Sequence, residues 1–296
     1  MQYGFSIKRK CYLLSVLLMT VWLTGCVQEE FESTPSPAGN GIRFTLTVPD
    51  VNLPSVSSRT MTGTGTAKKE DEIETVDILV FDMSKTPAVF LEWVSATGVT
   101  QDLADNSTVS FSAVLSPTTA STCIVVVANK ELDNIVSGFT KGATTKVEAM
   151  EKMLHTQTGK WLADGSTTGG YTRIPMYGEK VISKITPSMN PITEINMKRM
   201  LARIDIRNNS VTSNFMVEEV YLANYNTTGY IAPAWNTNGQ VTEPAPDTPV
   251  LPTGSGKMTE EGNAILYSVN GNTPYDGEIY TFESLAAGDA GGAGQD

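Results

Sequence analysis

The sequence predicts a mainly β protein: two Greek-key-like β-sandwich domains in tandem, with one or a few short helices. Apolar residues recur at every second position in many short runs. Clusters of Gly, Pro, Asn and Ser punctuate those runs, and a single stretch carries a helical period instead. Such alternation is the pattern of half-buried strands joined by turns, and many of them in succession build sandwiches.

The first element stands outside that fold. Lys8-Arg9-Lys10 precedes about a dozen mostly apolar residues ending at Leu23, too few for a membrane-spanning helix, which needs roughly 20. The layout is that of a secretory signal peptide over residues 1–25. Its end, Leu23-Thr24-Gly25-Cys26, resembles the bacterial lipobox. That resemblance implies cleavage before Cys26 and acyl chains on its thiol. Each buried methylene is worth about 0.8 kcal/mol, so two or three chains anchor far better than one. Val27-Gln28-Glu29-Glu30 is either a solvated spacer or a signal similar to that of surface-exported Gram-negative lipoproteins. Phe31 to Asn40 reads as a flexible, Pro-containing tether.

The strands follow. Ile42, Phe44, Leu46 and Val48 alternate with Arg43, Thr45 and Thr47. Val76, Ile78 and Val80 form one face of a second strand, with Asp77, Leu79 and Phe81 on the other. Val89, Leu91 and Trp93 continue the pattern, as do Val109, Phe111, Ala113 and Leu115. Thr122 to Ala128 is a continuous apolar run, typical of a strand buried on both faces. Further strands are expected at residues 180–186, 194–207, 215–223, 264–269 and 278–283. Between them, Thr145-x-x-Glu148 is a capping box, in which hydroxyl and carboxylate each satisfy an orphan backbone N–H. Val147, Met150, Met153 and Leu154 then share one helical face, expected to pack as a lid on one sheet.

Near Arg199 the parity changes. Ile195, Met197 and Leu201 are odd; Ala202, Ile204 and Ile206 are even. A shift of one residue turns side chains to the opposite face, so a bulge or a crossing between sheets is expected there. The first sandwich is accordingly placed at residues 60–200 and the second at 201–296. Residues 242–252 form a Pro-rich loop in the second.

Composition excludes some functions. The formal charge is −11, and loss of three cations and no acids with residues 1–25 takes it to −14. Such a chain lacks the basic footprint of a nucleic-acid binder. Of three cysteines, Cys11 leaves with the signal peptide and Cys26 carries lipid, so Cys123 is left without an intramolecular partner. Within its apolar run Cys123 reads as a buried structural thiol. His155, the single histidine, is expected to cap the helix C-terminus as a surface imidazolium. Gly159-Lys160 lacks the remainder of a P-loop, Gly165 to Gly170 reads as a turn, and Asp102, Asp105 and Asn106 match no EF-hand spacing. Glu218-Glu219 and Glu260-Glu261 are adjacent and would face opposite ways on strands. No catalytic residue, metal ligand or cofactor site is assigned.

Five stretches in register resemble the FimA-type fimbrillins, the type V pilins of Gram-negative anaerobes. They are Glu72 to Asp82 (EIETVDILVFD), Ile124 to Asn129 (IVVVAN), Ile174 to Gly178 (IPMYG, similar to the family's Pro-Met-x-Gly turn), Met197 to Ile206 (MKRMLARIDI) and Ile279 to Glu283 (IYTFE). The resemblance covers residues 40–283 and implies a non-enzymatic subunit of a cell-surface fimbria with a role in adhesion. Its precursor would sit in the outer membrane through lipid on Cys26. An Arg-specific protease would then cut between Arg59 and Thr60, removing residues 26–59 with the anchor and the first strand. Arg59 is the only arginine between Arg43 and Arg173, in a small, polar, Gly-containing stretch of the kind that proteases nick.

Loss of that strand would open a groove with unpaired backbone groups and four pockets, left by Ile42, Phe44, Leu46 and Val48. A strand from another fimbrial subunit could fill it by β-augmentation. Refilling four sites at about 1.5–3 kcal/mol each gives roughly 6–12 kcal/mol gross, before ordering costs. In the family the donated strand is C-terminal, whereas Leu285 to Asp296 has no alternating bulky residues; either the chain is truncated, leaving the second sandwich incomplete, or this subunit accepts a strand without donating one. Two alternatives stay open. One is a lipid-anchored base, accessory or tip subunit that is not cleaved. The other is a glycan-binding surface lipoprotein presenting Trp93, Trp161, Trp235 or Tyr230.

Overall fold

The computed structural model describes residues 42–48, 71–101, 108–157, 159–161, 172–207, 219–242, 250–253, 257–258, 265–268 and 276–284. The elements are β1 (Ile42–Thr47), β2 (Val76–Asp82), β3 (Val89–Ser95), β4 (Thr97–Gln101), β5 (Thr108–Ala113), β6 (Thr122–Ala128), α1 (Asp133–Val136), α2 (Lys146–Lys152), β7 (Leu154–Thr156), β8 (Met176–Ile182), β9 (Ile192–Asn196) and β10 (Lys198–Arg199). After them come β11 (Ala202–Arg207), β12 (Glu219–Leu222), β13 (Tyr225–Asn226), β14 (Thr228–Tyr230), β15 (Lys257–Met258), β16 (Ile265–Ser268) and β17 (Asp276–Thr281).

The protein is mainly β, as the alternation predicts, in a β-sandwich arrangement. A four-stranded sheet has the order β4-β5-β1-β9, and a five-stranded sheet the order β10-β8-β6-β2-β3. Ile42, Phe44, Leu46, Val109 and Phe111 from the first sheet share one core with Val76, Ile78, Val80, Ile124 and Val126 from the second. The other face of the five-stranded sheet is covered too. Leu79, Phe81, Cys123, Val125 and Val127 pack there with Met150 of α2, with Met153 just beyond its end, and with Trp161, Ile231, Tyr280 and Phe282. Cover on both sides explains why β6 is apolar throughout rather than alternating.

The helical lid is capped as expected. The Thr145 hydroxyl accepts from Glu148 N–H at 3.2 Å, and Glu148 Oε2 accepts from Thr145 N–H at 2.7 Å. The helix stops at Lys152, and Leu154 to Thr156 instead form β7, paired with β14. The single strand expected at 194–207 is divided. β9 belongs to the four-stranded sheet, β10 to the five-stranded one, and β11 pairs with β17. The parity change at Arg199 thus marks a passage between sheets.

One expected turn is a strand. Residues 176–182 form β8, so the Met-x-Gly part of Ile174 to Gly178 lies in the sheet and the strand placed at 180–186 is shifted back. Gly178 is there for space. A Cβ at that position would lie 2.7 Å from Met197 Sδ and 2.9 Å from Ile195 Cγ2, where the two sheets approach. Among the described residues of the later part, β11–β17, β12–β16 and β13–β15 are two-stranded ladders. A division into sandwiches near residue 200 stays a proposal.

Candidate functional site

β1 is an inserted strand. It runs antiparallel to β5 in unbroken register, from Ile42 opposite Ala113 to Thr47 opposite Thr108. It runs parallel to β9, with Phe44 opposite Ile192, Leu46 opposite Ile195 and Thr47 opposite Asn196. Both of its edges are therefore occupied. Its alternate side chains enter the core: Ile42 is 4% exposed, Phe44 1%, Leu46 0% and Val48 1%. Phe44 stacks on Phe111 at 5.0 Å between ring centroids and 6° between planes. Arg43 and Thr45 are half-buried and Thr47 is exposed. Without β1, the facing edges of β5 and β9 have no strand between them, and the core has four large holes.

The β9 side is irregular. Phe44 to Leu46 spans two positions of β1, but their partners Ile192 and Ile195 are three apart. The extra residue makes a β-bulge in which Thr193 and Glu194 are both exposed while Ile192 and Ile195 both stay in the core. Glu194 takes the left-handed conformation, with φ +61°, which a residue with a Cβ adopts at a cost. Lys180 Nζ staples the bulge from β8, donating to Thr193 O at 2.6 Å and to Glu194 Oε2 at 3.3 Å.

A polar clasp holds the start of β2. Asn129 Nδ2 donates to Glu72 O at 2.8 Å and to Ile174 O at 3.0 Å, its Oδ1 accepts from Glu74 N–H at 3.0 Å, and its own N–H bonds Thr75 O at 2.9 Å. Gln101 Nε2 donates to Asp71 O at 2.7 Å and its Oε1 accepts from Ile73 N–H at 3.1 Å. Arg173 pairs with Glu72 at 3.2 Å and Glu74 at 2.7 Å, and Arg199 pairs with Asp71.

The remaining polar groups look structural. Lys146 is fully buried, with Nζ 2.6 Å from Glu179 Oε2, and the Tyr177 hydroxyl donates to the same oxygen at 2.5 Å. Burial raises the Tyr177 hydroxyl well above its ordinary value and pushes the Cys123 thiol up to about 12. A thiol so shifted is not a nucleophile at neutral pH. His155 is not a cationic cap. It lies half-buried in β7 against Trp161, at 5.0 Å between centroids, and burial followed by the Lys130 charge lowers it to about 4. Trp161 is buried, and Trp235 sits edge-on to Tyr230 at 4.9 Å. Among the described residues no group of three or more His, Cys, Asp or Glu could hold a metal, and no helix is long and apolar enough to cross a membrane.

Of the predicted site residues, Ile42, Phe44, Leu46 and Val48 come together in one strand of the core. Cys26, Arg59 and Thr60 lie outside the described residues, as do Asp102, Asp105, Asn106, Glu218, Glu260 and Glu261. The bulge and the clasp escaped the sequence reading. The first had a signal in the Ile192-x-x-Ile195 spacing, which breaks a strand's period of two; the clasp had none, because Asn129, Arg173 and Arg199 are far from Asp71 in the chain.

These features define a class: a β-sandwich protein in which one sheet is completed by the chain's own leading strand. Comparison with curated proteins returns no match. The chain belongs to the family of the major fimbrial subunit protein (FimA), whose model matches residues 42–264. Similar solved structures include a fimbrial assembly protein from Parabacteroides distasonis, 12% identical, with a TM-score of 0.37 over 81% of this chain and 85% of that one. A candidate cell adhesion protein from the same species is 18% identical, with a TM-score of 0.45 over 85% and 73% of the two chains. A candidate adhesin from Bacteroides ovatus is 13% identical, with a TM-score of 0.37 over 83% and 69%. Membership in the family, which is one of structural fimbrial subunits, makes the chain a structural fimbrial component and implies assembly with other fimbrial subunits at the cell surface.

Proposed function

We propose that the chain is a fimbrial subunit that polymerises by strand exchange. The precursor is held in the outer membrane by lipid on Cys26. An Arg-specific protease cuts between Arg59 and Thr60, and residues 26–59 leave with β1. A strand from a neighbouring subunit then takes the place of β1 between β5 and β9. The supporting observation is the insertion of β1, which is hydrogen-bonded on both edges and sends four apolar side chains into the core. Until the cut, β1 satisfies the groove and blocks premature assembly. The subunit itself performs no catalysis and needs no cofactor.

The test is digestion of the purified full chain with an Arg-specific protease. We expect a body whose first residue is Thr60, a ladder of oligomers when donor-competent subunits are present, and neither product from an Arg59→Ala chain. A wild-type chain that resists cleavage at Arg59 would instead make this a lipid-anchored base, accessory or tip subunit.

A further inference from the structure

We propose that a cleft between β3 and α1 binds a basic side chain, the guanidinium or ammonium group of an Arg or Lys on another polypeptide. The cleft measures about 430 Å³ and is lined by Phe90, Glu92 and Trp93 of β3 and by Asp133, Val136 and Ser137 of α1 and its C-cap. Among the described residues that line it, none is cationic. Both β3 and α1 lie beyond Arg59 in the chain, so the proposal stands apart from strand exchange.

The side chains of the lining offer the cleft acceptors and ring carbon, and no donor. Glu92 Oε1 accepts from Ser116 N–H at 2.7 Å and Oε2 from the Ser116 hydroxyl at 2.6 Å. Those bonds fix the carboxylate and leave further lone pairs on both oxygens. Asp133 is exposed and only accepts. The Ser137 hydroxyl gives its proton to Asn134 O at 2.9 Å. The Trp93 indole nitrogen is shut off from solvent, so that side chain shows the cleft carbon. An anion, or a sugar hydroxyl seeking a donor, finds no side chain to supply one. A basic side chain is all donor, has a charge that Glu92 and Asp133 oppose, and has an apolar stem for Phe90 and Val136 to cover. Its charged head is also attracted to an aromatic face within about 6 Å of the ring centroid. The adjoining ring shows the same chemistry. Phe139 stands edge-on to Phe90 at 5.3 Å between centroids, and Lys152 Nζ lies 5.6 Å from its centre. The chain's formal charge of −11 draws cations toward its surface.

The test titrates blocked tripeptides, acetyl-Gly-Xaa-Gly-amide, into the full chain and follows the indole resonance of Trp93 by NMR, assigned with Trp93→Phe. Xaa is Arg, Lys or the uncharged analogue citrulline. The Arg and Lys peptides should move that resonance and bind at least about tenfold more tightly than the citrulline peptide. Glu92→Gln and Asp133→Asn should each weaken the basic peptides at least about threefold. Glu151→Gln, which removes an exposed acid of α2 outside the lining, should weaken them less than either. Asp133 is exposed, so its variant keeps the test decisive should Glu92→Gln not fold. Equal binding of the citrulline peptide, no binding of either basic peptide, or an equal effect of Glu151→Gln would overturn the site. Free spermidine that displaces the peptides and binds as tightly would overturn the assignment to a polypeptide side chain.

Discussion

His155 is the single histidine of the chain, and its setting makes it a reporter of acid stability. In the fold its ring lies against Trp161 and 6.4 Å from Phe282 between centroids, and burial holds its pKa at about 4 against an ordinary 6.5. The folded state therefore resists a proton that the unfolded chain accepts at 6.5. Its contribution to stability is complete above that value and is lost as pH falls from 6.5 toward about 4. Asp77 and Glu283, both raised by burial, act in the opposite sense. Comparing urea midpoints of wild type and His155→Gln across this window isolates the histidine: the wild type should lose more stability on acidification, and parallel curves would refute the assignment. The sequence pointed elsewhere, to a charged cap, because the residues after α2 look like a helix end. Nothing local tells that Leu154 to Thr156 pair with Thr228 to Tyr230.

β1 as an element carries a sharper contrast. Phe44→Ala would remove the ring stacked on Phe111 and leave a cavity beneath both sheets, a change that destabilises a core by about 3–5 kcal/mol. Thr47→Ala, on the exposed face of the same strand, should change stability by no more than about 0.5 kcal/mol. Denaturant unfolding of the uncut chain measures both; equal effects would mean that β1 does not complete the core. This strand was legible because its alternation is unbroken from Ile42 to Val48, and so was β6, because a strand covered on both faces has no polar side to show. The segment from Ile192 to Arg207 was legible only in part. Its parity change announced a passage between sheets, but its division among three of them depends on partners as distant as Asp276 to Thr281. Met176 to Ile182 was obscured by Pro175 and Gly178. Those residues read as a turn, yet the proline precedes the strand and the glycine makes room for Met197.

At the scale of the whole molecule, charge governs how copies meet. Residues 60–296 carry 16 Lys and Arg against 28 Asp and Glu, a formal charge of −12, so two such bodies repel at a distance, and the repulsion is screened within about 10 Å at 0.1 M salt. Assembly of the cut body should accordingly run faster as ionic strength rises from about 0.02 to 0.2 M, read as the rate of ladder growth; a rate that falls with salt would point to a charge-steered joint instead. Association aside, the bonds at the head of β2 have a consequence for how the molecule bears an amputation. Asn129, Gln101, Arg173 and Arg199 all come from outside β1, and between them they grip Asp71 through Thr75. They act like a knot tied just inside a torn seam: whatever is pulled from the cloth upstream, the unravelling halts there.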